Sequence, residues 1–252
     1  MIPVSNIVFL GLSLLILVFA VFFLRKVMRE IRLVIYGLLN DVSNTRQETS
    51  VLFAQIQALL ALERKLDLSE ALPPMRGWAG SPDFLLVVAN EILTRKPQTI
   101  MECSSGVSTV VIARCLQMNG CGHVYSLEHD INYANKTRQL LVKYDLSEWS
   151  TVLDAPLETK HTETPWYSES MIPNNLSPID ILIIDGPPAQ TAHLARFPAL
   201  PRLQPRLSKN ALIILDDAHR DDELEIVNRW KNLFSLQETN MNCEKGCILL
   251  EF

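Results

Sequence analysis

The chain is short of glycine and cysteine, and its first two dozen positions carry no charge. Each shortage excludes something. Nine glycines and fourteen prolines in 252 residues, without a repeat, exclude collagen-like and low-complexity chains. Five cysteines, at positions 103, 115, 121, 243 and 247, are odd in number and scattered. They make neither a disulfide framework nor a paired-CxxC zinc site, and they point to a reducing compartment. The closest pair, Cys243 and Cys247, brackets Glu244-Lys245-Gly246 and reads first as two facing strand residues around a turn, with a metal site as the alternative. Basic residues are outnumbered, 23 against 28, and the net charge of −5 argues against a nucleic-acid binder that works by neutralising phosphates. Hydrophobic content of 48% with 20% charge can build a core, which excludes a wholly disordered chain.

Positions 2–24 form an uncharged run of 23 residues rich in Leu, Ile, Val and Phe. At roughly 1.5 Å per residue a helix of that length matches a hydrocarbon layer of ~30 Å. A cleavable signal peptide carries its basic residues before a shorter apolar run and small residues after it. Here the basic residues Arg25, Lys26, Arg29 and Arg32 come afterwards, and no small-x-small site follows Leu24. A buried core helix would show a polar face over such a length. The expectation is an uncleaved single-pass anchor over 1–25. Its positive flank keeps the remainder on the cytoplasmic side, which for a bacterial chain means the inner membrane.

Residues 26–72 read as a helical stalk, ended by Leu72-Pro73-Pro74, since proline lacks an amide donor and pushes its predecessor out of helical geometry. Steps of three and four from Met28 through Ile31, Ile35, Leu38, Val42, Thr45, Thr49, Leu52, Ile56, Leu59 and Glu63 to Leu66 give nine apolar positions in twelve. That suits a coiled-coil seam, through which the chain would self-associate as a homo-oligomer. The two threonines and Glu63 leave open an amphipathic helix packed on its own domain or lying on the membrane.

From 73 to 252 strands and helices alternate. Ser81-Pro82-Asp83 reads as a helix start. Helices are expected at 84–94, 107–118, 133–143, 191–203 and 222–230. Strands are expected at 99–102, 123–127, 150–153, 179–184, 211–215, 234–238 and 247–252. This pattern predicts an α/β fold, a doubly wound, mostly parallel sheet covered on both faces, with ligands at the carboxyl ends of its strands.

Those ends hold the unusual residues. Glu102 precedes the small-residue turn Cys103-Ser104-Ser105-Gly106, where a ligand could approach backbone amides at a helix N-terminus. One glycine is not the three spaced glycines of a dinucleotide loop, which disfavours a nicotinamide enzyme, and the lysine of a nucleotide phosphate loop is missing. Glu102 would repel phosphate and suits a positively charged ligand. Glu128, after the next strand, can accept both hydroxyls of a ribose, or it is a solvated loop residue. Asp154-Ala155 follows the third strand and could border an adenine ring. Asp185 follows the fourth, and Asp216-Asp217 with His219 follows the fifth. Capping explains any one of these acids; a shared site explains five at successive strand ends better.

The segments TIMECSSGVSTVV, VYSLEHD, VLDAPL, IDILIIDGPPAQT and ALIILDDAHR, with RGWAGSPDF before them, resemble class I S-adenosylmethionine-dependent methyltransferases, in particular the bacterial branch related to catechol-type O-methyltransferases. The resemblance covers about 73–252. It implies a Rossmann-like seven-stranded sheet with an antiparallel last strand. It also implies that Glu102 and the loop of Ser104, Ser105 and Gly106 hold the methionine end of S-adenosylmethionine, Glu128 the ribose, and Asp154 with Ala155 the adenine, while Asp185 lies beside the sulfonium. In the metal-dependent members Mg²⁺ is held at positions matching Asp185, Asp216 and Asp217, although Asp217 stands where those have Asn. Without metal, Asp185 or His219 takes the substrate proton directly. The loop 158–176 with Trp166 and Tyr167 is a candidate lid or acceptor wall, and Arg76 and Trp78 could close the other side. Both aromatics could equally be packing. The expected activity is methyl transfer to an oxygen or nitrogen of a small molecule, a glycan or a lipid-linked acceptor. The alternative is an inactive scaffold that assembles through the stalk.

Overall fold

The computed structural model describes residues 4–252 except 69, 76, 78, 161 and 162. The chain divides into two compact units, Met1–Phe53 and Ala54–Phe252. Helix α1 (Val4–Leu66) is uninterrupted because its only breakers are two glycines. In the first unit its apolar side chains, from Phe9 through Leu24 and on to Leu38 and Val42, are exposed. The two seam threonines return their hydroxyls to the helix, Thr45 Oγ1 donating to the Asp41 carbonyl at 2.8 Å and Thr49 Oγ1 to that of Thr45 at 2.7 Å, so they leave no unpaired polar group.

The second unit begins earlier than the prolines suggest. Leu62 and Leu66 are wholly buried in one core with Phe84, Leu85, Ile92 and Leu116. The open carbonyls at the end of α1 are satisfied from within the domain, by Arg114 Nε on Leu66 (2.7 Å) and Arg114 Nη2 on Asp67 (2.8 Å). Glu63 accepts from the Leu72 amide at 3.2 Å. The last turns of the seam therefore pack on the domain.

Helix α2 (Pro82–Arg95) starts at Ser81-Pro82 as expected, with the capping done by Asp83, which accepts from the Phe84 amide at 2.8 Å and is held by Ser81 Oγ at 2.5 Å. There follow β1 (Thr99–Cys103), α3 (Val107–Asn119), β2 (His123–Glu128), α4 (Ile131–Lys143), β3 (Ser150–Asp154), β4 (Ile179–Ile184), α5 (Ala199–Leu203), β5 (Leu207–Asp216), α6 (Asp221–Leu233), β6 (Gln237–Met241) and β7 (Cys247–Glu251). Leu157–Glu158 and Trp166–Tyr167 pair as a separate small ribbon. The sheet order is β3-β2-β1-β4-β5-β7-β6, with β7 antiparallel to both its neighbours and every other pair parallel. Alternate residues feed opposite cores: Ile181 and Ile183 pack with α2 and α3 residues, Leu182 and Ile184 with α5 and α6 residues. The order reverses between β1 and β4, which opens a crevice at their carboxyl ends.

The expected helix over 191–203 is reduced to α5. Leu194 has φ of 53°, its amide is donated to Asp222 Oδ2 at 2.9 Å instead of a helical carbonyl, and Pro198 and Pro201 lack amide donors. This irregular segment turns Arg196 inward.

Candidate active site

Backbone bonds beyond the strand ends hold the tips of four strands together. The Ser104 amide donates to the Leu127 carbonyl (3.1 Å), Asp185 to Cys103 (3.2 Å) and Ala155 to Glu128 (2.7 Å). Ser104 at φ 128° and Gly106 at φ 153° make the turn into α3. Only glycine adopts the second conformation freely, and a non-glycine residue in the first carries backbone strain of the kind found at ligand sites. Beneath the turn, the Gly106 amide donates to Thr109 Oγ1 at 3.0 Å, and Thr109 Oγ1 and Ser126 Oγ both donate to Glu102 Oε2, at 2.7 and 2.5 Å. Glu102 is fully buried and its Oε1 has no partner among the described residues. Burial pushes its carboxyl up to about 7, against the hydroxyls that favour the ionised form.

Glu128, nearly buried, accepts from Ser105 Oγ at 2.9 Å and from the Asp130 amide at 3.0 Å. His129 Nδ1 lies 3.1 Å from Glu128 Oε1, and that carboxylate raises the imidazole's pKa. Above these groups is a cavity of about 720 Å³. Its walls include the turn residues Ser104, Ser105 and Gly106, then Glu128 and His129, Tyr133 and Leu140 of α4, Tyr167, and Asp185-Gly186. The Tyr167 ring is buried, and its hydroxyl has no partner among the described residues and faces Gly186, whose missing Cβ makes room for it.

Five of the expected residues thus gather on one cavity, Ser104, Ser105, Gly106, Glu128 and Asp185; Glu102 is not among the residues lining it and reaches the turn only through Thr109. Asp154 and Ala155 are not among the described residues lining it. Asp154 is paired with Arg138 at 2.6 Å, and Ala155 is buried. His219 is exposed on the turn after β5, where its ring lies against Gly246, and it too does not line the cavity. Trp166 is buried packing, and Tyr167 is both packing and wall. Arg76 and Trp78 lie outside the described residues.

Beside the cavity, Asp185, Asp216 and Asp217 bring carboxylate oxygens within 4.8 Å of one another. Arg196, 3% exposed, stands among them: Nη2 is 2.8 Å from Asp217 Oδ2 and 3.4 Å from Asp185 Oδ1, and Nη1 donates to the Asp216 carbonyl at 2.9 Å. Glu223 lies 3.6 Å from Nε, and Arg220 pairs with Asp217 at 2.9 Å from the outer side. Burial pushes Asp185 up to about 7, with Arg196 opposing and Asp217 adding to the rise. Asp216 is held well above the ordinary range by burial and by those two acids. Burial would lower the Arg196 guanidinium, but the surrounding carboxylates outweigh it and hold it charged. As a donor set for Mg²⁺ these residues do not fit: Asp217 Oδ2 and Asp185 Oδ1 already face a fixed positive charge, although Asp216 Oδ2 has no partner among the described residues.

Arg196 and His129 were not legible as site residues in the sequence. His129 adjoins Glu128 and could have been found by that adjacency. Arg196 follows no strand and carries no local signal.

Residues 103–218 match the model of a family described as a methyltransferase domain. No curated protein matches the sequence. Among solved structures, an O-methyltransferase from Bacillus cereus in complex with SAH is similar at TM-score 0.53 and 16% identity, covering 77% of this chain and 90% of that one. The SAH-bound methyltransferase PaMTH1 of Podospora anserina gives 0.54 at 14%, with 77% and 87% covered. A putative caffeoyl-CoA O-methyltransferase from Staphylococcus aureus gives 0.51 at 14%, with 78% and 91% covered. At these identities the likeness shows the fold alone: the second unit has the fold of these O-methyltransferases, and residues 103–218 within it are similar to a methyltransferase domain.

Proposed function

We propose that this protein is a membrane-anchored O-methyltransferase that uses S-adenosylmethionine. The observation that carries the reading is a cavity of about 720 Å³ with Glu128 and Asp185 in its wall, beside a turn that the buried Glu102 supports through Thr109. A donor that is positive at its amine and sulfonium and has two ribose hydroxyls matches such an acidic cradle. When bound, it supplies an activated methyl group on sulfonium. The residues do the rest. The Ser105 amide suits the methionine end, since the Ser104 and Gly106 amides already donate to Leu127 and Thr109, and Glu102 supports the turn through Thr109. Glu128 has lone pairs left for the ribose after serving Ser105 and Asp130. Tyr133 and Leu140, rather than Asp154 and Ala155, suit the adenine.

Asp185 is the group to take the acceptor's proton. It lines the cavity, and a carboxyl near 7 is partly ionised at neutral pH and basic enough to receive a proton. His219 is too far round the β5 turn for this reading. Alignment of the acceptor oxygen with the methyl, and exclusion of water by the Tyr167 wall, complete what the protein must provide.

The anchor reading rests on a helix with mean hydropathy 2.2 in its most apolar window, none of which is buried, and on the basic flank of Arg25, Lys26, Arg29 and Arg32, which favours a cytoplasmic domain at a bacterial inner membrane. The acceptor class is then a small molecule, glycan or lipid-linked precursor made at that face. The exposed seam between Met28 and Leu52 would let two copies associate.

Calorimetric titration of the full chain in detergent with S-adenosylmethionine tests the reading. Micromolar-range binding is expected, followed by labelled-methyl transfer in a screen of extracted metabolites and lipids. A folded protein that binds no S-adenosylmethionine would favour the scaffold alternative.

A further inference from the structure

We propose that Arg196 is the built-in cation of the acidic cluster at the ends of β4 and β5, occupying by charge and position the place of a divalent ion, so that the domain binds no metal there and its chemistry runs without one. The part about chemistry rests on the methyltransferase reading; the part about metal does not.

Three observations carry it. The first is position: Asp185, Asp216 and Asp217 converge within 4.8 Å, and the guanidinium is in their midst, 2.8 Å from Asp217 and 3.4 Å from Asp185. The second is that its donors are engaged. Nη1 is held by the Asp216 carbonyl at 2.9 Å, and Nε faces the Pro187 carbonyl at 3.5 Å and Glu223 at 3.6 Å. With 3% of its side chain exposed, the arginine cannot swing into water without opening the core around it. The third is construction. The turn that brings Arg196 inward is pinned by the Leu194 amide on Asp222, so the arrangement is set by the backbone and not by a flexible surface side chain.

A hard dication needs several oxygen ligands at about 2.0–2.6 Å, and here two of the three carboxylates, Asp217 and Asp185, already face a fixed positive charge that would repel it. Arg196 does not line the cavity. It is a positioning residue that acts through Asp185, whose Oδ1 it faces at 3.4 Å beside the cavity. An acceptor therefore needs no neighbouring pair of oxygens to chelate a metal; one ionisable oxygen suffices.

The test is Mn²⁺ binding to the full chain in detergent, read by loss of the free-ion paramagnetic resonance signal. The wild type is expected to take up no stoichiometric Mn²⁺ at sub-millimolar concentration, and Arg196→Met to take up one ion, lost again when Asp217→Ala is added. Uptake of one ion by the wild type that Asp217→Ala abolishes would overturn the proposal. So would a folded Arg196→Met that binds none, because the guanidinium would then not be what keeps the ion out. If Arg196→Met does not fold, Arg196→Lys, which keeps the charge, is expected to fold and stay ion-free, and uptake by it or by the wild type decides against. In the activity arm, methyl transfer is expected to be unchanged by EDTA; loss with EDTA and recovery with Mg²⁺ would overturn the proposal. Absence of any methyl transfer in a wild type that excludes Mn²⁺ would sink the functional reading while the statement about the metal stands.

Discussion

Glu128→Gln should weaken S-adenosylmethionine binding by about two orders of magnitude while leaving the fold intact. The carboxylate has four acceptor sites; Ser105 Oγ and the Asp130 amide use two of them, at 2.9 and 3.0 Å, and His129 Nδ1, 3.1 Å from Oε1, makes no hydrogen bond to a third. Two remain for the ribose hydroxyls. A hydrogen bond to a charged group contributes roughly 1.5–3 kcal/mol and one between neutral groups roughly 0.5–1.5. With glutamine, one hydroxyl keeps a neutral acceptor at a loss of about 1 kcal/mol, and the other meets an amide that cannot accept, losing about 2. The sum, about 3 kcal/mol, corresponds to roughly a hundredfold in Kd. In the folded protein the amide's oxygen can still accept from Asp130 and its nitrogen can donate to Ser105, so thermal stability should change little. Calorimetry with S-adenosylmethionine or S-adenosylhomocysteine, beside a melting curve, separates the two effects. A Kd within threefold of wild type would refute the assignment of Glu128 to the ribose, and a large loss of melting temperature would show that its role is structural.

Further expectations concern the floor and rim of the cavity and the first unit. In Gly186→Ala the new methyl meets the Tyr167 hydroxyl and lies 3.1 Å from the Cys103 carbonyl; overpacking of this kind costs roughly 1–3 kcal/mol, so a lower melting temperature and weaker ligand binding are expected, and an unchanged melting curve counts against the described contact. Glu102 has a folded-state carboxyl raised to about 7, so it contributes stability that is present in acid, where it is neutral in both states, and is lost as pH rises through about 7. Chemical denaturation across pH 5 to about 8 should show that fall in the wild type and a flatter profile in Glu102→Gln; identical profiles would mean Glu102 is not the group responsible. Removal of residues 1–24 should release the protein from carbonate-washed membranes into the soluble fraction, and persistence in the membrane would locate attachment elsewhere.

Much of the architecture was legible along the chain because strand and helix leave different periodicities. The unbroken apolar runs Ile-Leu-Ile-Ile at 181–184 and Leu-Ile-Ile-Leu at 212–215 belong to strands buried on both faces, and they proved to be β4 and the end of β5. Glu128 and Asp185 could be read as site residues because a strand's last residue in a parallel sheet points its chemistry at one shared rim, whichever strands lie between. Where the reading failed, the cause was distance in the sequence or a local exception. The helix expected at 191–203 broke down at Leu194 and the prolines, and the burial of Leu62 and Leu66 depends on partners in α2 and α3.

The residue order alone was enough for an alternating α/β domain, an apolar N-terminal helix and a row of acids at strand ends, since each follows from local pattern and from the side-chain periods of helix and strand. Which acids face the cavity and which are spent elsewhere was settled by packing. Asp154 turns to Arg138, His219 to Gly246, and Asp217 to Arg196. A carboxylate's partner is chosen by distances across the fold, and no spacing along the chain encodes the 21 positions that separate Arg196 from Asp217.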